Sequence, residues 1–152
     1  MSLAPGLFAP VTFRASAALP AIGAYDATPT EVFVSGAEDI LLYCSYDENA
    51  GGAAGSVNVI VEASPYSVDH ATLHNWYRLS VINVGAFAAG ADVTEQVQRQ
   101  GAALYTPIGA DREGWVLGAY GLKGAVERMR VSCAEVGQAG FPGIMHVVGV
   151  MR

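Results

Sequence analysis

Beyond residue 30 several segments alternate apolar and polar residues with a period of two, the pattern of strands with one face buried, while the runs of the last third carry apolar residues on both faces. Ser56–Ser64 is the cleanest case: Val57, Val59, Val61 and Ala63 fall on one face, and Ser56, Asn58, Ile60 and Glu62 on the other. Glu31–Ser35 sets Val32 and Val34 against Phe33. After Gly36-Ala37, Asp39–Asp47 sets Ile40, Leu42, Cys44 and Tyr46 against Leu41, Tyr43 and Ser45. Trp76–Val84 returns to strand, with Tyr77, Leu79 and Val81 on one face. Asp92–Arg99 reads as strand in preference to a short helix because Val93, Thr94 and Val97 are β-branched, and Ala103–Pro107 is a further short strand. The last third holds three apolar runs, Trp115–Tyr120, Gly124–Val136 and Gly143–Met151, each bounded by Gly or Gly-Pro. Within the middle run Met129, Val131 and Cys133 oppose Arg128, Arg130 and Ser132.

The connections carry turn chemistry. Asp47–Gly55 is a glycine-rich loop, Pro65–Asn75 has room for one helical turn, Gly85–Ala91 is a small apolar loop and Ile108–Gly114 a turn. Short strands separated by turns, with no sustained helical period, predict an all-β fold. The expected architecture is an antiparallel β-sandwich or jelly roll over residues 31–152.

Residues 1–30 read differently. They hold four of the seven prolines, many alanines and only two charges, Arg14 and Asp26. That composition predicts an extended N-terminal arm. So apolar an arm is expected to lie on its own domain or on a neighbour's, and removal of residues 1–14 is expected to leave the body folded while weakening assembly.

A chain of 152 residues suits one domain, able to bury about two thirds of the surface its unfolded form exposes. Charged residues make up 14% of it, against roughly 25% in an ordinary soluble domain. A deficit of that size predicts that part of the exterior is contact surface. Seven arginines to the single Lys123 fit the same reading, since guanidinium stacks and forks to carboxylates at interfaces. The net charge of −6 with no basic stripe disfavours direct nucleic-acid binding. The longest uncharged stretches, Leu79–Ala91 and Val136–Met151, are short of the roughly 20 apolar residues of a spanning helix, so no membrane is expected. Met1–Pro10 has no basic n-region and does not read as a signal peptide. Without one, Cys44 and Cys133 are expected as buried free thiols and not as a disulfide.

Candidate chemistry is sparse. His70 and His74 stand four apart beside Asp69, a spacing that puts two imidazoles on one helical face, but no glutamate follows His70 as a metalloprotease requires. They are expected as loop residues, with no metal. No serine or cysteine lies in a nucleophile frame, and Asn49–Gly55 lacks the Lys-Ser/Thr of a phosphate cradle. No enzyme activity and no cofactor are expected. Trp76, Tyr105, Trp115 and Tyr120 would suit a sugar-stacking groove, and packing in the core or at a subunit seam is the favoured alternative.

The stretch Gly124-Ala-Val-Glu-Arg-Met-Arg-Val-Ser-Cys-Ala-Glu-Val-Gly137, then Gly140-Phe-Pro-Gly143 and a final strand ending at Arg152, resembles the closing hairpin of small tailed-bacteriophage virion proteins. Among these it most resembles the capsid decoration, or cement, proteins of jelly-roll type. The resemblance implies a non-enzymatic part that binds the outer capsid surface between major capsid subunits, commonly as a trimer, after assembly in the host cytoplasm. Its partners would be the major capsid protein and copies of itself. A head-to-tail connector or tail component, and a carbohydrate-binding β-sandwich module, are the alternatives. The expected assembly contacts are Leu7, Phe8, Val11, Phe13, Arg14, Trp76, Trp115, Arg128 and Arg130.

Overall fold

The computed structural model describes residues 10–21, 23–47, 55–87, 97–99, 102–105, 114–136 and 143–152. Its strands are β1 (Val11–Ala18), β2 (Val32–Phe33), β3 (Asp39–Asp47), β4 (Gly55–Ser64), β5 (Tyr77–Phe87), β6 (Val97–Arg99), β7 (Ala102–Tyr105), β8 (Gly114–Gly121), β9 (Arg128–Val136) and β10 (Ile144–Met151). One sheet runs in the order β1-β10-β3-β8 and the other β2-β9-β4-β5-β6-β7, every pairing antiparallel. Without the β6–β7 hairpin, which extends the second sheet from β5, the orders 1-10-3-8 and 2-9-4-5 are those of a jelly roll. The all-β sandwich read from the alternation is therefore the fold.

Alternation does what it should in the central strands. β3 turns Ile40, Leu42, Cys44 and Tyr46 inward, β4 turns Val57, Val59, Val61 and Ala63, and β9 turns Met129, Val131 and Cys133, all buried. The registers β10–β3, from Ile144↔Asp47 to Met151↔Ile40, and β4–β9, from Ser56↔Val136 to Ser64↔Arg128, run without a break. A one-residue slip in either would turn a whole apolar row to solvent, which is why these registers are the tightly specified ones.

Several expectations change. Val11–Ala18, assigned to the arm, is a strand of the first sheet paired with β10, and Phe13 and Leu19 are buried in the core. The apolar beat of Val11 and Phe13 is masked by Ala15–Ala18, four small residues that face solvent. Removing residues 1–14 would thus take Phe13 from the interior, contrary to the expectation of an intact body; Leu7 and Phe8 lie outside the described residues. In β5 a register shift opposite Val61 and Glu62 puts Tyr77 opposite Ala63 but Val81 opposite Ile60. The bulge breaks the face expected for Tyr77, Leu79 and Val81, and Ser80 and Ile82 are buried instead. Residues 65–76 form bends without a helical turn, and β5 continues through Gly85 to Phe87.

Phe13 and Gly149 fit each other. A Cβ on Gly149 would stand 2.5 Å from the Phe13 ring and 3.0 Å from Ile40, so the ring occupies the space that a side chain on β10 would fill. Phe13→Ala is expected to lower the unfolding free energy in urea by about 3–5 kcal/mol, and Gly149→Ala by about 1–3 kcal/mol through overpacking. Combined, they should cost less than their sum, because the new methyl enters the space the ring leaves. Additivity within about 0.5 kcal/mol would contradict the contact.

Candidate functional site

The expected contact residues sort into those the fold uses internally and those it leaves outward. Arg14 and Asp26, the only charges among the first thirty residues, pair with each other: Arg14 Nε lies 2.9 Å from Asp26 Oδ2 and Nη2 3.0 Å from Oδ1. Nη1 donates to the carbonyls of Ala17 at 2.8 Å and Met145 at 2.6 Å, and Nη2 to that of Ala18 at 3.1 Å. The register of β1 shifts between Arg14 and Ala17, and the guanidinium satisfies the carbonyls that this bulge frees. Asp26 Oδ2 also accepts from the Cys133 N–H at 2.9 Å, while the Asp26 N–H donates to the Cys133 carbonyl at 3.2 Å. One ion pair therefore fastens β1 onto β10 in the first sheet and reaches β9 in the second.

Phe13 and Arg14 are accordingly interior groups, correcting their placement as assembly contacts; Val11 is half-buried and packs against the core. Arg128 needs the same correction. It is 3% exposed, donates to Glu31 at 2.7 Å, Asp69 at 2.8 Å and the Tyr66 carbonyl at 2.7 Å, and so straps residues 65–70 across the end of the second sheet. Burial opposes its charge, but the hydrogen bonds to Asp69 and Glu31 outweigh burial and hold it above the usual arginine range. Arg130 pairs with Glu62 at 2.7 Å. Both guanidinium carbons stand over the Trp76 ring, at 4.9 Å for Arg128 and 4.1 Å for Arg130, as cation–π partners.

The aromatic residues weighed as a sugar groove do not converge among the described side chains. Trp76 lies under the arginines of the second sheet, whereas Tyr120 of β8 packs on the core and shares a hydrogen bond with Ser80 across the sandwich. Trp115 pairs through its backbone with Cys44 and Tyr105 with Val97, and their side chains lie outside the described residues. His70 and His74 are both exposed. His70 Nδ1 accepts the Thr72 N–H at 3.2 Å and its backbone is clasped by Asn75, which closes the loop. Among the described residues no group of three or more potential ligands could hold a metal ion.

Two buried polar features escaped the sequence reading. Glu135, 1% exposed, accepts from the Tyr46 hydroxyl and from the Gly143 N–H, each at 2.8 Å, and so links the end of β9 to the start of β10. Gly143 allows this: a Cβ there would stand 2.3 Å from the Tyr46 ring. A glutamate at the close of an apolar strand was the available signal. The other signal was that Arg14 and Asp26 had no further charge in their segment to meet. Cys44 and Cys133 are free and buried, as expected. Burial, with Asp26 adding and Arg14 opposing, pushes the Cys133 thiol up to about 12; burial and then Cys133 push Cys44 well above the ordinary thiol value.

The two outer faces contrast. That of the second sheet carries Glu62, Arg78, Arg128 and Arg130. On the first sheet, Tyr43 stands opposite Val148 and Leu41 opposite both Val150 and Ala119. Among its described outward side chains no Asp, Glu, Lys or Arg occurs between the strand ends. The Asp39–Arg152 pair marks one end, and Asp47 occupies the other end of β3. A depression of about 440 Å³ runs from Tyr43 past Leu41, Ala119, Gly121 and Val150 to the paired Asp39 and Arg152 at the strand ends. No family model, no curated protein and no solved structure matches the chain.

Asp26→Ala is expected to destabilise the fold by about 3 kcal/mol in urea, the lower end for a broken buried pair because Asp26 is partly exposed. Arg14→Lys should recover little of an Arg14→Ala loss, lacking the fork that serves three carbonyls and a carboxylate; full recovery would show that charge alone suffices. The raised thiols give a further expectation. Above a pH of about 9 the unfolded chain releases thiol protons that the folded chain retains, so stability falls as pH rises from there towards 12. Cys133→Ala should flatten that fall, and native protein at pH 8 should leave both thiols unmodified by a disulfide reagent until it is unfolded. Rapid native labelling would contradict their burial.

Proposed function

We propose that the chain is a non-enzymatic structural protein of a tailed-bacteriophage virion, binding the outer capsid surface and reinforcing the shell. The observation that carries this reading is a jelly-roll strand order bearing a sheet face whose described side chains include no Asp, Glu, Lys or Arg between the strand ends. Jelly rolls recur in viral capsid domains and in lectins, and fold alone does not decide between such uses. The uncharged face favours the first. A lectin site needs polar groups converging beside an aromatic platform, whereas a shell component needs apolar area repeated over many copies. Each contact contributes roughly 25 cal/mol per Å² of apolar surface removed from water, and a closed lattice engages many at once. The resemblance of residues 124–152 to decoration proteins is one of sequence alone, since β9 and β10 lie in opposite sheets and form no closing hairpin. The partners in this reading are the major capsid protein and further copies of the chain, on the capsid exterior.

The test is co-sedimentation of the purified protein with phage shells that lack their decoration, followed by heating of the decorated particles. Saturable binding and DNA retention to a higher temperature are expected. Absence from the shell pellet would refute the proposal; closed rings in electron micrographs would favour a connector, and glycan binding without shell affinity a carbohydrate-binding module.

A further inference from the structure

The geometry points to a second copy of this chain as the occupant of the outer face of the β1-β10-β3-β8 sheet, the two copies pairing face to face about a two-fold axis. Charge is the first reason. Each chain carries a net charge of −6, so two copies repel through any acidic surface, and a buried ionic side chain without a partner is costly. Among the described side chains, the charged groups that this face presents beside its depression are Asp39 and Arg152 at one end, and they already pair with each other at 2.6 Å, so two copies can approach without stranding a lone charge there. By the same property it offers nothing with which to select a partner of opposite charge. The outer face of the second sheet, with Glu62, Arg78 and Arg130, presents the opposite situation.

Area is the second reason. Four strands of about eight residues, rising about 3.3 Å per residue and spaced about 4.8 Å apart, present a face of roughly 26 by 19 Å. Two such faces in contact remove on the order of 1,000 Å² from water, the size at which a specific interface begins. Packing would follow the same rule as the interior of the sandwich, with sheets about 10 Å apart and side chains interdigitated.

Shape is the third. A two-fold interface must be self-complementary, each patch meeting its own counterpart. Tyr43, 36% exposed and opposite Val148, is the bulkiest residue on the outward row of β3 and lies against one side of the depression. Beside it Ala119 and Gly121, two small residues of the edge strand β8, line the trough of the 440 Å³ depression. A two-fold axis beside Tyr43 seats each copy's Tyr43 in the other's trough. Ile144, 38% exposed at the far end of β10, extends the apolar contact.

The pairing stands independently of the virion reading, and sedimentation velocity on the full chain tests it. At about 100 µM, a concentration that populates even a modest dimer, a two-copy species is expected. Val148→Glu should weaken association by about a hundredfold or more, the scale of desolvating a carboxylate without a partner. Ala119→Trp, which fills the trough without adding charge, should weaken it too and decides the matter if Val148→Glu fails to fold by circular dichroism. Ile60→Glu on the other sheet should leave association unchanged. A single-copy wild type at that concentration, association indifferent to both Val148→Glu and Ala119→Trp, or equal loss with Ile60→Glu would overturn the proposal. Shell binding measured in parallel keeps the two readings apart: a single-copy protein that still binds shells refutes only the pairing, and a dimer without shell affinity refutes only the virion role.

Discussion

The Arg14 guanidinium sits where the sandwich has to be closed. β1 is an edge strand with little apolar area of its own: beyond Val11 and Phe13 it offers solvent a run of alanines, and a bulge interrupts its pairing with β10. A cation buried at such a point is tolerated only when its donors are met, and here they meet the Asp26 carboxylate and the carbonyls of Ala17, Ala18 and Met145. Asp26 carries the tie onward to the Cys133 backbone in the other sheet. The net stabilisation from forming such a pair is small, since desolvation offsets most of the attraction; the cost of breaking it is large. Its role is to fix one bulge register and one path for the crossing from β1 to β2.

The same use of charge recurs. Arg128 with Glu31 and Asp69, Arg130 with Glu62, and the buried Glu135 with Tyr46 and Gly143 all join segments distant in sequence. Charged residues make up 14% of the chain, and these described ones are committed to internal ties. On the first sheet the described outward side chains are mainly apolar beside the polar pair Ser45 and His146, and its described Asp, Glu, Lys and Arg side chains on that face lie at the strand ends. A face of that kind is stable when it is covered, and this connects the internal architecture to assembly.

The parts of the fold legible in the sequence are those where a strand has one buried and one open face over its whole length. β3, β4 and β9 meet that condition, and their inward rows are the ones that alternation marks. β5 does not, because one inserted residue exchanges its faces and nothing local announces the bulge. β1 was hidden by its alanines, which lack the apolar mass that makes a period visible. The pairing of β10 with both β1 and β3 joins the last strand to the first and third, and such long-range order has no periodic trace. Among the expected contacts, Phe13, Arg14 and Arg128 were misplaced for a shared reason. A large or ionic side chain in a sparse surrounding suggests an external partner, whereas each of these has its partner within the chain.

The central claim is that the outer face of the first sheet is covered when copies of the chain come together, and side-chain footprinting with hydroxyl radicals addresses it directly. Tyr43 on that face and Tyr77 at the start of β5 are 36% and 49% exposed in the isolated chain, close enough to react at comparable rates. The account predicts that raising the protein concentration protects Tyr43 progressively while Tyr77 keeps its reactivity. Modification of both in the same proportion at every concentration would contradict it.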